Sequence, residues 1–297
     1  MLRAAATISF SVTLLGCAGG SQSRAPAPAR TASPSSAPAP TQSGVEERTD
    51  LRRTFEAERV SGTFAWYDSA SGKLSCTDLQ RCQRGYLPAS TFKIANAIIA
   101  LETGVASDPE TGLPWDGKEY AVAGWNRDHT LRSAIRVSCV PCFQAIARKI
   151  GQERMDDWLA RLDYGNHDTS GGIDTFWLKG GLRITPLEQI DFLRRLDGAK
   201  LPISSSTRDF VIDMLTLDVG SGHVLRGKTG LLLEPEEPMN TGWFVGWVEL
   251  GERRVFFTLL IDGFAAGVDP IPLRRSFDRG HAARSRALAG ALTISEP

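Results

Sequence analysis

The chain has 297 residues, 42% apolar and 23% charged, ordinary values for a folded protein of one large domain or two small ones. Its 34 basic and 34 acidic residues balance, so no basic excess is available to neutralise phosphates, and no nucleic-acid partner is expected. The four histidines, His129, His167, His223 and His281, are scattered without metal-ligand spacing, so no metal site is expected either.

Residues 1–17 read as an export signal, with Arg3 in a positive n-region and a run from Ala4 to Leu15 too short to span a bilayer. Leu14-Leu15-Gly16-Cys17 resembles a bacterial lipobox, which implies lipidation at Cys17; an ordinary cleaved signal peptide is the alternative. Ala18 follows where sorted lipoproteins kept at the inner membrane carry aspartate. The resemblance therefore implies an exported, periplasmic protein anchored to the outer membrane, touching lipid only through Cys17. Residues 18–44 are almost wholly Ala, Pro, Ser, Thr, Gln, Gly and Arg, with little to bury, and predict a disordered tether. Residues 45–297 are then the folded domain.

Glu46 to Glu58 predicts a surface helix, with Leu51 and Phe55 as its apolar positions. Gly62 to Tyr67 reads as a strand, Ser69-Ala70-Ser71-Gly72 as a turn, and a short return strand follows. Cys76 and Cys82 come close together next. In an exported chain they predict a disulfide that ties the loop before residue 90. Pro88-Ala89-Ser90-Thr91-Phe92-Lys93 then opens a buried helix through Ile94 to Glu102.

Leu131 to Val137 leads into Ser138-Cys139-Val140-Pro141. Pro141 and Cys142 open a helix with Phe143, Ile146, Ala147 and Ile150 on one face, and a second carries Met155, Trp158, Leu159 and Leu162. Gly165 to Ile173 is a loop, followed by the apolar knot Phe176-Trp177-Leu178. Thr185-Pro186-Leu187-Glu188 is a capping box that starts a helix to about Leu196, and Phe210 to Leu217 is another short helix. Trp243 to Leu250 and Arg254 to Asp262 form a hairpin around Gly251-Glu252, and 271–292 predicts a final helix. Strands at both ends with helices between them give an α+β fold. One central antiparallel sheet carries flanking helices and an inserted helical subdomain.

Ser90 and Lys93 are three apart, so a helix places hydroxyl and amine on one face. A serine needs an adjacent base to become a nucleophile, and a lysine becomes a base only when burial or modification disfavours its charge. Taken alone, the same residues are better read as a helix cap and a surface lysine, since S-x-x-K often occurs by chance. Four short motifs in chain order decide between these: Ser90-x-x-Lys93, Ser138-x-Val140, Tyr164-Gly165-Asn166 and Lys228-Thr229-Gly230. The set is related to the S-x-x-K, S-D-N and K-T-G signature of penicillin-recognising serine enzymes, with Ser138-Cys139-Val140 replacing S-D-N. That departure, with Phe176-Trp177-Leu178 and Gly246-Trp247-Val248-Glu249, resembles the class D serine β-lactamases, the oxacillinase family, over roughly residues 50–290.

The resemblance implies a β-lactamase/transpeptidase-like fold and hydrolysis of the β-lactam ring of penicillin-type antibiotics, and hence antibiotic resistance. Ser90 resembles the nucleophile and Lys93 the lysine that takes up CO2, supplied as CO2 or bicarbonate, to become a carbamate acting as general base. Trp177 resembles the residue that holds the carbamate, though core filling explains it as well. Val140 and Leu178 resemble the apolar lids over it. Ser138 resembles the proton shuttle, Lys228 the residue that polarises it, and Thr229 and Gly230 the substrate-facing strand. The backbone N–H groups of Ser90 and Leu231 would form the oxyanion hole. Arg274 resembles the arginine that takes the drug carboxylate, a task suited to a bidentate fork.

Cys139 and Cys142 are read as reduced, buried residues behaving as small hydrophobes, since a disulfide there is expected to strain the Ser138 site. The alternative functions are a penicillin-sensing domain acylated without turnover and a D,D-peptidase. Sensors are normally joined to several membrane helices, and the Ser138-x-Val140 and Phe176-Trp177-Leu178 pairing departs from the peptidases.

Overall fold

The computed structural model describes residues 44–57, 60–233 and 240–263. The export signal, Cys17, all but the end of the expected tether, the expected helix over 271–292 and Arg274 lie outside the described residues. Among the described residues no helix is long and apolar enough to cross a membrane.

The chain enters through β1 (Val45–Glu47), a 3-10 turn at Thr49–Leu51 and the short α1 (Arg53–Ala57). The single surface helix expected over Glu46 to Glu58 is therefore corrected. Val45 and its neighbours pair parallel to Leu74–Cys76, and Glu47 accepts from the Arg52 guanidinium and the Leu79 N–H. Sheet pairing at an open edge outweighs the weak helical tendency of so short a polar segment.

The strands β2 (Ser61–Asp68) and β3 (Lys73–Cys76) follow as a hairpin whose turn uses Gly72 at positive φ. Next come α2 (Leu79–Cys82) and α3 (Lys93–Glu102), then the small pair β4 (Gly112–Leu113) and β5 (His129–Thr130). The helical part continues with α4 (Leu131–Arg136), α5 (Val140–Ile150) and α6 (Gln152–Leu162). After it stand α7 (Pro186–Asp197) and α8 (Ser205–Met214). The Thr185–Glu188 capping box is present in both directions. α8 begins earlier than Phe210, because Ser204 caps it, and it ends at Met214 because Thr216 starts another strand.

The last four strands are β6 (Thr216–Gly220), β7 (His223–Leu232), β8 (Thr241–Leu250) and β9 (Arg253–Asp262). They join the first three in a seven-stranded sheet ordered β1-β3-β2-β9-β8-β7-β6, antiparallel except where β1 runs along β3. β8 is buried on both faces. Trp243, Val245 and Trp247 belong to the main core, and Phe244 and Val248 pack with Leu225 and Phe257 in a second cluster. α7 lies against β2, β8 and β9, and α3 packs against α5, α6 and α8. The helix that begins at Lys93 is thereby enclosed from all sides. Every residue from Lys93 to Ala100 is buried, although Lys93 and Asn96 are polar.

Candidate active site

Ser90 sits on a 3-10 turn, Ala89–Phe92, that feeds directly into α3. Ala89 has φ 49°, in the left-handed region that costs an L-residue roughly 1–2 kcal/mol. The surroundings hold it there. Ala89 N–H donates to Trp177 O at 3.1 Å, and Thr91 N–H and Oγ1 both donate to Pro88 O, at 3.1 and 2.7 Å. Gln189 Nε2 donates to Thr91 Oγ1 at 2.9 Å, and Trp243 Nε1 to Leu87 O at 2.9 Å. Backbone strain held by so many bonds is a mark of functional turns.

Lys93 Nζ donates to Ser90 Oγ at 2.7 Å, and Lys93 has no exposed surface. Burial, and secondarily the charge of Lys228, hold its amine well below the usual lysine range. Among the described residues no carboxylate is paired with it. Once neutral, an amine against a serine hydroxyl can accept its proton.

The second serine arrives from the opposite side. Ser138 has φ 57°, in the tight bend between α4 and α5, and Lys228 Nζ donates to its Oγ at 3.0 Å. Lys228 Nζ also donates to Thr229 O at 2.9 Å. Both lysines thus end on serine hydroxyls, close enough for the charge of one to weigh on the other.

β7 brings Lys228 in because β6 covers only its first half, up to Arg226. Gly227 N–H points away from β8, to Leu215 O at 2.8 Å. Strand alternation puts the N–H of Thr229 and Leu231 on that same open edge. A Cβ on Gly230 would lie 3.1 Å from Pro88 O and 3.2 Å from the Thr91 methyl, so glycine lets the strand dock on the Ser90 turn.

Trp177 is fully buried and stacks on Phe92 at 5.1 Å between ring centroids. Its Nε1 donor has no partner among the described residues. Such an orphaned buried donor costs about 1–3 kcal/mol, and it suits an acceptor from outside the described residues. Val140 and Leu178 are half-buried nearby in chain terms, the first opening α5 and the second following Trp177. Tyr164-Gly165-Asn166 builds the wall. Tyr164 packs its ring on Phe92 and Phe192, and burial pushes its phenol above the usual tyrosine range. Gly165 has φ 61° with Arg183 O where a Cβ would go, and Asn166 bonds Gly181 O and Arg183 N–H.

Ser90, Lys93, Ser138, Lys228, Thr229, Gly230, Leu231 and Trp177 therefore converge on one turn, one bend and one strand edge, while Arg274 lies outside the described residues. Two buried amides escaped sequence reading. Asn96, one helical turn beyond Lys93, donates to Phe143 O with its Oδ1 unpartnered among the described residues, and Gln189 supports Thr91. The available signal was a lone amide within an otherwise apolar helix face.

The cysteines need one correction. Cys76 and Cys82 form a disulfide, and so do Cys139 and Cys142, which were expected to be reduced. The anticipated strain does not arise because Cys139 is the N-cap of α5. Its Sγ turns over the first helical turn, accepts the Cys142 N–H at 3.2 Å, and leaves the two Cα atoms 5.4 Å apart, inside the range a disulfide spans.

Residues 53–269 match the penicillin binding protein transpeptidase domain. The chain is 42% identical over 233 residues to beta-lactamase OXA-10 of Pseudomonas aeruginosa, covering 78% of this chain and 87% of that one. It is 40% identical over 207 residues to the probable beta-lactamase YbxI of Bacillus subtilis, covering 70% and 76%. Among solved structures it is similar to the class D beta-lactamase YbXI from Nostoc, with TM-score 0.72 and 39% identity over 80% of this chain and 97% of that one. FUS-1 (OXA-85), a class D beta-lactamase from Fusobacterium nucleatum subsp. polymorphum, matches with TM-score 0.75 and 30% identity over 84% and 100%.

Proposed function

The chain belongs to the class D β-lactamases and is a hydrolase of β-lactams, and from that premise we propose that it works through an acyl-enzyme on Ser90 with a carbamylated Lys93 as its base. The observation that carries the reading is the Lys93 amine. It is wholly buried, held well below the usual lysine range and 2.7 Å from Ser90 Oγ. Only a neutral amine has the lone pair that adds to CO2, with release of one proton. The unpartnered Trp177 Nε1–H suits the resulting anion, since an indole only donates. A carbamate on Nζ would supply a base for the Ser90 proton and later for the proton of the deacylating water.

The remaining residues have separable tasks. Ser90 Oγ attacks the lactam carbonyl, and its own N–H with that of Leu231 binds the oxyanion. Ser138, polarised by the Lys228 ammonium, passes a proton to the departing ring nitrogen. Thr229 and Gly230 line the strand against the drug, and Val140 and Leu178 limit water at Lys93. Arg274 would hold the drug carboxylate, and hydrolysis would confer resistance on the cell. Cys17 would anchor the protein in the periplasm, a reading tested by membrane fractionation of Cys17→Ala.

The test of the mechanism is turnover of a chromogenic penicillin in acid, CO2-free buffer, with and without added bicarbonate. Activity that is lost and then restored by bicarbonate, together with an inactive Lys93→Ala, is the expected result. Indifference to bicarbonate with Lys93→Ala still turning over overturns it.

A further inference from the structure

Beside the Ser138 bend stands a cluster that hydrolysis does not use. His129 lies in β5 and the two cysteines at the start of α5. The intervening α4 folds the chain back, so ligand atoms of His129, Cys139 and Cys142 all lie within 4.8 Å of one another. His129 and Cys139 are buried and Cys142 is half-buried, so the cluster is reachable from the Cys142 side.

The imidazole is already held as a metal-binding imidazole is held. Its Nε2 lies 3.0 Å from Gly124 O and its Nδ1 3.0 Å from Ser133 Oγ. A carbonyl only accepts, so Nε2 carries a proton, and in the neutral ring Nδ1 is the nitrogen with a lone pair to offer. A backbone carbonyl on the other ring nitrogen is the usual way a ligand histidine is oriented. Ser133 Oγ has a second acceptor in Thr130 O at 3.2 Å, so it can release Nδ1 without being left unbonded. The cysteines stand in a Cys-x-x-Cys pair opening an eleven-residue helix, where the helix N-terminus favours thiolates.

We propose that His129, Cys139 and Cys142 form a thiol-gated site for a soft divalent ion such as Zn2+, closed while the disulfide is intact and opened by reduction. A dithiol reductant gives up two electrons and two protons and becomes a disulfide. The Cys139–Cys142 bond breaks and yields two thiols. Each thiol loses its proton as the ion binds, giving two sulfurs and one nitrogen in a tetrahedral set with a fourth position for water. Cys139 lies between Ser138 and Val140. A metal on its sulfur takes that sulfur from the Cys142 N–H and moves the bend that keeps Ser138 under Lys228. Metal binding therefore switches turnover off. That consequence for turnover rests on the β-lactamase reading; the site itself does not.

The experiment titrates Co2+, as a spectroscopic probe, into the full chain before and after anaerobic reduction. The reduced protein should take up one equivalent with a thiolate-to-cobalt absorption band, and the oxidised protein none. Cys142→Ser should weaken uptake at least 100-fold and His129→Ala at least tenfold. One equivalent of Zn2+ should lower turnover by the reduced enzyme at least tenfold, reversed by a chelator. The oxidised enzyme and reduced Cys142→Ser should not respond. A reduced wild type without the band overturns the proposal. So does a band that survives Cys142→Ser, which would place the ion at Cys76 and Cys82. Loss of the far-UV circular dichroism spectrum on reduction also overturns it, since the site then has no folded frame. A Co2+ band without inhibition by Zn2+ refutes the switch alone and leaves hydrolysis untouched.

Discussion

The molecule makes the same pair twice, a lysine amine on a serine hydroxyl, and surrounds the two pairs differently. Lys93 has no exposed surface, no carboxylate paired with it among the described residues, and the Phe143 ring 5.6 Å from its Nζ. Lys228 stands on a strand edge, where a hydroxyl and a carbonyl take up its donors. The first environment disfavours the charged form of its lysine, and the second supplies acceptors for an ammonium. One residue type is thus placed twice within electrostatic reach, and the charge on Lys228 is, after burial, the second cause that lowers the pKa of Lys93.

The division is open to attack from several sides. Ser90→Ala should lower turnover by about 10^4-fold or more and abolish any covalent adduct in intact-mass spectrometry, whereas Ser138→Ala should still acylate slowly. Equal losses, with no adduct on either variant, would erase the asymmetry. Lys93→Ala should cost about 10^3-fold and lose all response to bicarbonate, and Lys228→Ala about 10^2-fold with that response kept. Trp177→Phe keeps a six-membered ring against Phe92 and removes the orphaned N–H with the rest of the indole. It should slow deacylation about tenfold while acylation changes less, read as a longer-lived acyl-enzyme in stopped-flow traces.

The smallest effect is on stability. Between the lowered pKa of folded Lys93 and its ordinary unfolded value, the unfolded chain binds more protons than the folded one. Stability should therefore rise with pH from the lowered folded value up to the ordinary lysine value near ~10.4. Lys93→Met should flatten that rise and, in CO2-free buffer at neutral pH, stabilise the fold by about 1–3 kcal/mol in urea titrations.

Much of this was legible in the sequence, and the reasons are local. Ser90 and Lys93 meet because three residues of helix-like turn bring them together, and the Thr185 capping box and the β8–β9 hairpin are likewise set by near neighbours. What escaped depends on distant partners or on the direction of one side chain. β1 is a strand only because β3 offers an open edge, and β6 is one only because β7 does. The Cys139–Cys142 disulfide follows from the N-cap conformation of Cys139, which no spacing rule reveals. Asn96 and Gln189 look like interruptions of an apolar face until Phe143 O and Thr91 Oγ1 are seen opposite them.

The strand order has a consequence for how the chain comes to be folded. β2, made early, pairs along its whole length with β9, the last described strand, and β9 in turn seats β8 and β7. The middle of the sheet therefore cannot zip until nearly the whole domain has left the ribosome. Until then β2 and β3 form an isolated hairpin, which is marginal in water by itself. The helices around α3 have mostly nearer partners and can collapse first, holding the Ser90 turn in a loose shell that lacks its β7 wall. Closing loops of this length is slow and leaves strand edges open meanwhile. The pocket around Ser90 is thus among the last places to acquire its shape, and a chain truncated before Arg253 should accumulate as an aggregation-prone intermediate rather than as a weakened enzyme.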